Sequence, residues 1–255
     1  MQTTVTLMAL SDLPDFRAGD DLSAAVGDSY AQHGPEEGDI LCVAQKVFSK
    51  VEGCIVPLAS VTPSDEARDY ATRLNKDPRK VEVILGQSRK VVRAFKHPHA
   101  EEGTMICQHK LGFTSANAGV DESNFEEDDA VMTLPPDPDG SAQRLAHDLS
   151  DRFGKRIGVV MTDTFGRPWR LGQVNVAIGL AGVPATVRHE GDLDAWGRPL
   201  TVTEPALADE LAAAAGLVMG KAAKTPAILV RGVAWSATKA SAQDLIRQEK
   251  EDMFQ

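Results

Sequence analysis

The stretch RIGVVMTDTFGRPWR, residues 156–170, joins a short apolar run to a polar continuation. Its first part, residues 156–161, is typical of a buried β-strand, because a short apolar run bounded by turn signals suits a strand that is covered on both faces. A helix is predicted before this strand, starting with Ser141 as its cap and ending at Gly154. Helix and strand patterns alternate along the rest of the chain as well, so the sequence predicts an α+β (mixed α/β) protein with at least one mixed sheet.

The remaining elements are predicted from the same two periodicities. An acidic and then proline-rich loop at residues 126–140 indicates a boundary between two sub-structures. Strands are expected at residues 4–9, 39–43, 104–107, 113–115, 174–180 and 227–230. Helices are expected at residues 21–32, after the caps Thr62 and Asp77, from the Thr203-Glu204-Pro205 cap to about Met219, and at residues 241–254.

The composition argues against several classes of function. The 255 residues carry a formal net charge of −10, and a nucleic-acid partner would require clustered lysine and arginine, so we expect no nucleic acid as partner. We expect no membrane span and no signal peptide, because no apolar run is long enough and the first residues lack a basic region. The three cysteines are odd in number and lack the spacing of metal ligands, which favours reduced thiols in a cytoplasmic protein.

The polar continuation of the 156–170 stretch contains the most informative candidate residues. Asp163 would follow a buried strand, at the kind of sheet edge where ligands commonly bind, and it offers a hard oxygen ligand to a cation. Thr164 can add a hydroxyl or carbonyl oxygen to the same cation. Arg167 and Arg170 could bind phosphate or carboxylate oxygens in bidentate fashion. The alternative is that Asp163 caps a turn and that both arginines are solvated.

Two further stretches are weaker candidates. In ANAGVDESN, small residues allow the backbone to approach a ligand, with Asp121 available to a metal and Asn124 to a base or phosphate. The same residue types also suit an ordinary turn. In QKVFSKVEG, Lys46 and Lys50 could neutralise a polyphosphate, although two exposed lysines beside a turn are the commoner outcome.

Several standard motifs are missing from the sequence. It contains no glycine loop that ends in Gly-Lys-Ser/Thr, no Gly-x-Gly-x-x-Gly and no nucleophile elbow. The six histidines have no zinc spacing beyond the weak pair of His97 and His99. The residues alone therefore predict a site for a metal and an anion, and they do not specify a reaction.

Several long segments, in the same order along the chain, resemble the coenzyme F420 γ-glutamyl ligase family. The resemblance runs from about residue 4 to residue 232. Several ordered matches in one chain are more specific than any single motif. The segments that carry the resemblance are residues 39–53, 116–124, 134–141, 158–179, 192–203, 208–220 and 230–232.

The resemblance implies a GTP-dependent ligase that adds L-glutamate to the carboxylate of coenzyme F420-0 in coenzyme F420 biosynthesis. The γ-phosphate of GTP would convert the carboxylate into an acyl phosphate, which the amine of glutamate attacks. Mg²⁺ or Mn²⁺ would bridge the phosphates, with K⁺ as a further cation. The resemblance also implies one ligase domain over residues 1–255, a family-specific fold of two subdomains with mixed sheets and a boundary near residues 126–140, and an intertwined homodimer.

The resemblance also assigns roles to individual residues. Asp121 and Asp163 are implied as catalytic metal carboxylates, with Thr164 as an additional metal ligand, whereas Arg167 and Arg170 are placed near the substrate on chemical grounds. Some members of the family carry an acidic residue where this chain has Lys221, and that acid can reach a metal. In this chain, either a second metal would be held by other residues, or Lys221 would contact a phosphate oxygen. The implied nucleotide-binding residues are Leu13, Pro14, Asp15, Phe16, Gln45, Lys46, Lys50, Asn124, Met219, Gly220, Lys221 and Ala222.

Two other functions remain open on the sequence. A metal-dependent phosphatase could use Asp163 as its nucleophile, although Phe165 stands where such enzymes carry a second aspartate. A non-catalytic homologue could bind nucleotide and metal without turnover. The two acidic residues argue against that homologue, because holding two carboxylates close together is costly.

Overall fold

The computed structural model describes residues 4–123, 125–220 and 224–251. Within these residues no helix is both long enough and apolar enough to cross a membrane. The helices are α1 (Leu22–Ala31), α2 (Gln45–Val51), α3 (Asp65–Leu74), α4 (Pro78–Gln87), α5 (Pro138–Phe153) and α6 (Leu207–Met219). The strands are β1 (Thr6–Ala9), β2 (Ile40–Ala44), β3 (Ile55–Pro57), β4 (Ser88–Phe95), β5 (Thr104–His109), β6 (Thr114–Ala116), β7 (Ala130–Met132), β8 (Gly158–Arg167), β9 (Arg170–Ala181) and β10 (Ala227–Arg231).

The largest sheet of the protein is mixed. Its strand order is β1-β10-β2-β8-β9, in which β2 and β8 are parallel and the other neighbouring pairs are antiparallel. A two-stranded sheet pairs β3 with β7, and a three-stranded sheet has the order β4-β5-β6. The predicted α+β class with a mixed sheet is therefore confirmed.

Helices cover both faces of the five-stranded sheet. Residues alternate between the two faces along a strand, and on β2 both sets are apolar. Leu41 and Val43 pack into a core with α1, α2 and α5, whereas Ile40 and Cys42 pack into a second core with α6. This burial on both faces explains why β2 and the first half of β8 are continuous apolar runs in the sequence.

A third, smaller core is built by the chain between β2 and α5. Its buried side chains come from α3, α4 and β5 and from the segment around Ala118 and Val120. The last contributor to this core is Val131, which lies within the 126–140 loop of the sequence. The division into two subdomains at that loop stays a prediction.

Two predicted helix starts are wrong by one turn or less. The N-cap of α3 is Ser64, whose Oγ accepts a hydrogen bond from the Ala67 amide, rather than Thr62. The N-cap of α5 is Asp137, which accepts from the Gly140 amide, rather than Ser141. In α3, Ser64 directly precedes the first helical residue. In α5, Pro138 suits the first helical position, so the preceding Asp137 is the cap.

The predicted C-terminal helix over residues 241–254 is also wrong for the part that the structure covers. Short 3₁₀ turns occur there instead, at Ala242–Leu245 and Glu249–Glu251. The first turn is held by Asp139 at the start of α5, which accepts hydrogen bonds from the Ser241 hydroxyl at 2.5 Å and the Ala242 amide at 3.1 Å. Ser241 also caps this turn through a capping box with Asp244, and the turn ends at Leu245.

The β8 strand is longer than predicted and forms a long hairpin with β9. The hairpin extends to Arg167 and resumes at Arg170, so that Asp163 lies inside a strand and not after its end. The parallel pairing of β8 with β2, however, ends where Ala44 is opposite Thr162. Asp163 is therefore the first residue beyond the carboxyl edge of the parallel pair.

Asp39 forms a buried polar network immediately before β2. Its carboxylate accepts hydrogen bonds from the Tyr30 hydroxyl at 2.7 Å and from Arg231 Nε and Nη2 at 2.8 and 2.7 Å. Burial acts to raise the pKa of Asp39, but the hydrogen bonds from Arg231 and Tyr30 outweigh burial and hold that pKa below its ordinary value. The network connects α1, β2 and β10.

We expect Asp39→Ala to lower the free energy of unfolding by about 1–3 kcal/mol, because it leaves the buried Tyr30 hydroxyl without its acceptor and removes the bonds from Arg231, which keeps its ion pair with Glu36. Urea denaturation followed by circular dichroism would measure the change. The matched control is Asp28→Ala, which removes an aspartate that is 73% exposed and pairs with Arg152. That variant should lose less than about 1 kcal/mol; equal losses in the two variants would contradict the importance of the network.

Candidate functional site

A cavity of about 1200 Å³ opens at the carboxyl edge of the parallel strands β2 and β8. Ala44 and Thr162, the last residues of the parallel pairing, both line it. Ligands of open α/β sheets commonly bind outside the carboxyl ends of their strands. The cavity wall is completed by α2, the β8–β9 hairpin, the segment after β6, the loop before α1 and the C-terminal end of α6.

Most of the site residues predicted from the sequence lie in the wall of this cavity. They come from five separate parts of the chain, which the fold brings together. Asn124, Lys221 and Ala222 lie outside the described residues. The predicted residues in the wall are Leu13, Pro14, Asp15, Phe16, Gln45, Lys46, Lys50, Asp121, Asp163, Thr164, Met219 and Gly220.

Arg167 and Arg170 are not part of the described cavity wall. Both lie at the tip of the β8–β9 hairpin, where they form the last residue pair of its ladder. Arg167 Nη2 donates a hydrogen bond to the Leu171 carbonyl at 3.1 Å. The hairpin thus carries the two guanidinium groups away from the edge at which Asp163 lies.

The local structure before Asp121 turns the chain sharply into the cavity. Asn117, Ala118 and Gly119 all have positive φ angles, of 51°, 50° and 69°, and Asn117 Oδ1 accepts a hydrogen bond from the Met105 amide at 3.2 Å. Asp121 is then fixed to Met132 by two backbone hydrogen bonds of 3.0 and 2.8 Å. This backbone bridge holds Asp121 at the border between the small core and the cavity.

Lys46 on α2 reaches across the cavity to the Asp121 loop. Its Nζ forms an ion pair with Asp121 Oδ2 and donates hydrogen bonds to the Ser123 carbonyl at 2.8 Å and hydroxyl at 2.9 Å. The Ser123 amide in turn donates to Asp121 Oδ1 at 2.9 Å. Lys46 is therefore not one of two solvated lysines beside a turn, which was the alternative that the sequence left open.

The charge of Asp121 is stabilised by Lys46. Burial acts to raise the pKa of Asp121, but the hydrogen bond and the positive charge of Lys46 outweigh it, with a smaller contribution from Ser123, and the pKa lies below its ordinary value. Asp121 is consequently a carboxylate at neutral pH, which is the form that binds a cation.

Other charged side chains in the wall, among them those of Arg17, Glu126 and Lys224, were not predicted as site residues. Arg17 pairs with Glu126 at 3.1 Å and Lys224 pairs with Asp15 at 2.8 Å. Both pairs join loops that are distant in sequence, and each involves side chains that are more than half exposed. No local pattern could indicate them, because surface ion pairs depend on which loops the fold makes neighbours.

The donor chemistry of the wall fits a hard divalent cation that arrives with phosphates. Asp121 and Asp163 supply carboxylates, and Thr164 carries a hydroxyl that donates to Asn175 Oδ1 at 2.9 Å. The described residues contain no group of three or more His, Cys, Asp or Glu side chains that could enclose a metal. Mg²⁺ is commonly held by one or two carboxylates plus substrate phosphates, which needs no such group.

Thr162 has a buried hydroxyl group next to Asp163. Its Oγ1 is buried and has no hydrogen-bond partner among the described residues, although it lines the cavity next to Asp163. Buried hydroxyl groups in proteins are nearly always hydrogen-bonded. The hydroxyl oxygen of Thr162 is thus an exception within the wall, and it lies beneath the surface of the cavity.

Comparison with known proteins gives similarity over nearly the whole chain. Residues 12–232 match the family model for F420-0:Gamma-glutamyl ligase. A protein of Methanothermobacter thermautotrophicus named coenzyme F420:L-glutamate ligase is 39% identical, over 98% of each chain. Proteins of the same name from Methanocaldococcus jannaschii and Methanopyrus kandleri are 38% and 42% identical; the matches cover 95% and 93% of this chain and 94% and 92% of theirs.

We expect Lys46→Met to raise the pKa of Asp121, because burial would then act on the carboxylate without the opposing ammonium group. A pH titration followed by NMR of the aspartate carboxyl carbons would measure it. Lys50→Met is the matched control. Lys50 lies on the same helix and the same cavity wall, but it is not among the main groups that shift the pKa of Asp121. An Asp121 pKa that is equal in both variants would contradict the role given to Lys46.

Proposed function

Because the chain belongs to the F420-0:gamma-glutamyl ligase family, we propose that it is an amide-forming ligase that joins L-glutamate to the carboxylate of coenzyme F420-0 in coenzyme F420 biosynthesis. Similarity to ligases of that name over nearly the full length supports the proposal. The structural observation that carries it is that Asp121, Asp163 and the lysines of α2 all line the same cavity.

The size and charge of the cavity support a nucleotide-dependent reaction with GTP as co-substrate. Such a ligase must hold a nucleotide, an amino acid and the substrate carboxylate at once. Small-molecule sites commonly measure roughly 300–1,000 Å³, and this cavity of about 1200 Å³ is larger. Its lysines and carboxylates suit a polyanion that binds together with Mg²⁺ or Mn²⁺. A K⁺ requirement and a homodimer are further parts of the proposal.

The proposed chemistry has two steps. In the first, a carboxylate oxygen of coenzyme F420-0 attacks the γ-phosphorus of GTP, the bond to the β-phosphate oxygen breaks, and GDP leaves. In the second, the amine of L-glutamate attacks the acyl carbon, and the C–O bond to phosphate breaks. The amine loses its proton, and the products are the amide, GDP and inorganic phosphate.

The residues of the chain bind and orient the reactants in this scheme. Asp121, Asp163 and Thr164 would hold the divalent cation, which neutralises charge on the phosphates when it is bound. Lys46 and Lys50 would contact phosphate oxygens, and we assign the nucleotide to the wall formed by residues 13–16 and by Met219 and Gly220. Contacts of Arg167 and Arg170 with the substrate stay predictions, which the cavity geometry does not support.

One assay separates this function from the two alternatives. Protein is mixed with GTP, Mn²⁺, L-glutamate and coenzyme F420-0, and phosphate release and product mass are followed. Phosphate release that requires glutamate, with a product heavier by one glutamyl group, supports the ligase. Release without glutamate supports a phosphatase, and nucleotide binding without any release supports a non-catalytic homologue.

We expect Asp163→Asn to lower kcat by roughly 10³-fold or more, because the neutral amide is a poor ligand for a cation that stabilises charge in the transition state. Phosphate release measured at saturating substrates gives the value, and the melting temperature should stay close to that of the wild type. Asp151→Asn is the matched control, since this exposed aspartate lies on α5 away from the cavity wall. Near-normal turnover by Asp163→Asn would rule out the proposed metal site.

A further inference from the structure

Behind the cavity wall, a buried lysine contacts the residue that follows Asp121. Lys80 on α4 is only 6% exposed. Its Nζ donates a hydrogen bond to Glu122 Oε2 at 2.7 Å and to both carboxylate oxygens of Glu102 at 3.0 Å. Lys76 donates to the same Glu102 at 2.7 Å, and its side chain is only 4% exposed.

The two glutamates have different importance for the burial of Lys80. An ammonium group is costly to bury unless it is paired, and Glu102 already supplies two of the three contacts of Lys80. Glu102 itself is partly exposed and is shared between Lys76 and Lys80. The contact to Glu122 therefore ties α4 to the residue next to Asp121, whereas the pair of Arg79 and Asp129 ties the same helix to the far end of the loop.

The position of Glu122 contributes to the orientation of Asp121, whose other carboxylate oxygen pairs with Lys46. After the backbone bridge to Met132, residues 122–129 form no helix or strand in the part that is described. One oxygen of Asp121 accepts from the Ser123 amide, so that the direction of its carboxylate depends on the path of the chain through Glu122. Asp121 lines the cavity, while the side chain of Glu122 contacts α4 on the other side of the loop.

We propose that Lys80 is a positioning residue for Asp121: by holding Glu122 on the far side of the loop, it keeps the Asp121 carboxylate directed into the cavity. Among the described residues, Lys80 hydrogen-bonds to Glu102 and Glu122, neither of which lines the cavity, so that it would act on Asp121 through the loop. The inference rests on the proposed function, because it presumes that Asp121 binds the divalent cation of the ligase.

The test compares Lys80→Met with Lys76→Met. Both variants remove a buried lysine that pairs with Glu102, but only Lys80 contacts Glu122. Lys80→Met should raise the Mn²⁺ concentration that gives half-maximal activity by about 10- to 100-fold, as loss of a supporting partner of a metal ligand commonly does. Lys76→Met should change the melting temperature and leave the Mn²⁺ requirement unchanged.

Two further measurements do not depend on turnover. Hydrogen–deuterium exchange of the Ser123 amide should be faster in Lys80→Met than in Lys76→Met, because the loop loses its tether. Binding of Mn²⁺ in the presence of GTP, followed by electron paramagnetic resonance, should weaken in Lys80→Met only. Lys80→Arg, which keeps the charge, should restore much of both properties.

Glu122→Ala is the second variant in case Lys80→Met does not fold, since Glu122 is half exposed, alanine removes the acceptor, and Lys80 keeps Glu102 as a partner. It should show the same raised Mn²⁺ requirement and the same faster exchange at Ser123. Wild-type behaviour of Glu122→Ala, or equal behaviour of Lys80→Met and Lys76→Met, would overturn the inference. A wild-type protein that forms no glutamyl product would instead refute the proposed function, whereas the exchange measurement would still test the tether.

Discussion

The parallel pairing of β2 with β8 is the constraint on which the candidate site depends. The two strands pair from Ile40 opposite Gly158 to Ala44 opposite Thr162, and burial on both faces fixes this register, because a shift by one residue would exchange the side chains of the two cores. Since the strands run in the same direction, their carboxyl ends lie at one edge. There the chain continues as α2 with its lysines and as the segment that carries Asp163.

The remaining carboxylate of the site comes from the smaller core. Asp121 reaches the cavity only because a left-handed turn redirects the chain and because Met132 holds it by two backbone hydrogen bonds. The left-handed conformation at Ala118 costs conformational energy for a residue with a Cβ atom, and the burial of Ala118 in the third core compensates for it. The packing of a region that lies outside the cavity therefore determines the geometry inside it.

The sequence predicted the buried β8 strand and Asp163 next to its apolar run, because continuous burial leaves a strong local pattern. The extension of the hairpin was missed, since Gly166, Pro168 and Gly172 are typical of turns and the extension is stabilised by pairing with β9. Arg167 and Arg170 consequently lie at the tip of the hairpin, a position that no local pattern indicated. The strand β4 was missed because two register shifts in its pairing with β5 break the alternation of buried and exposed residues. Lys80 had no local signal at all, because its partners are 22 and 42 residues away.

The charge pairing in the cavity has a thermodynamic consequence under the proposed function. A net acidic protein can bind a triphosphate only if cations become available to it, yet Lys46 is already paired with Asp121. Phosphate oxygens that contact Lys46 would weaken this pair and leave a half-buried carboxylate in need of another cation, which a divalent metal supplies. A metal on Asp121 would equally release Lys46 for the phosphates. Each ligand thus offsets the free energy that the other loses by breaking the pair of Lys46 and Asp121. Linkage then requires that metal and nucleotide strengthen each other's binding by the same factor.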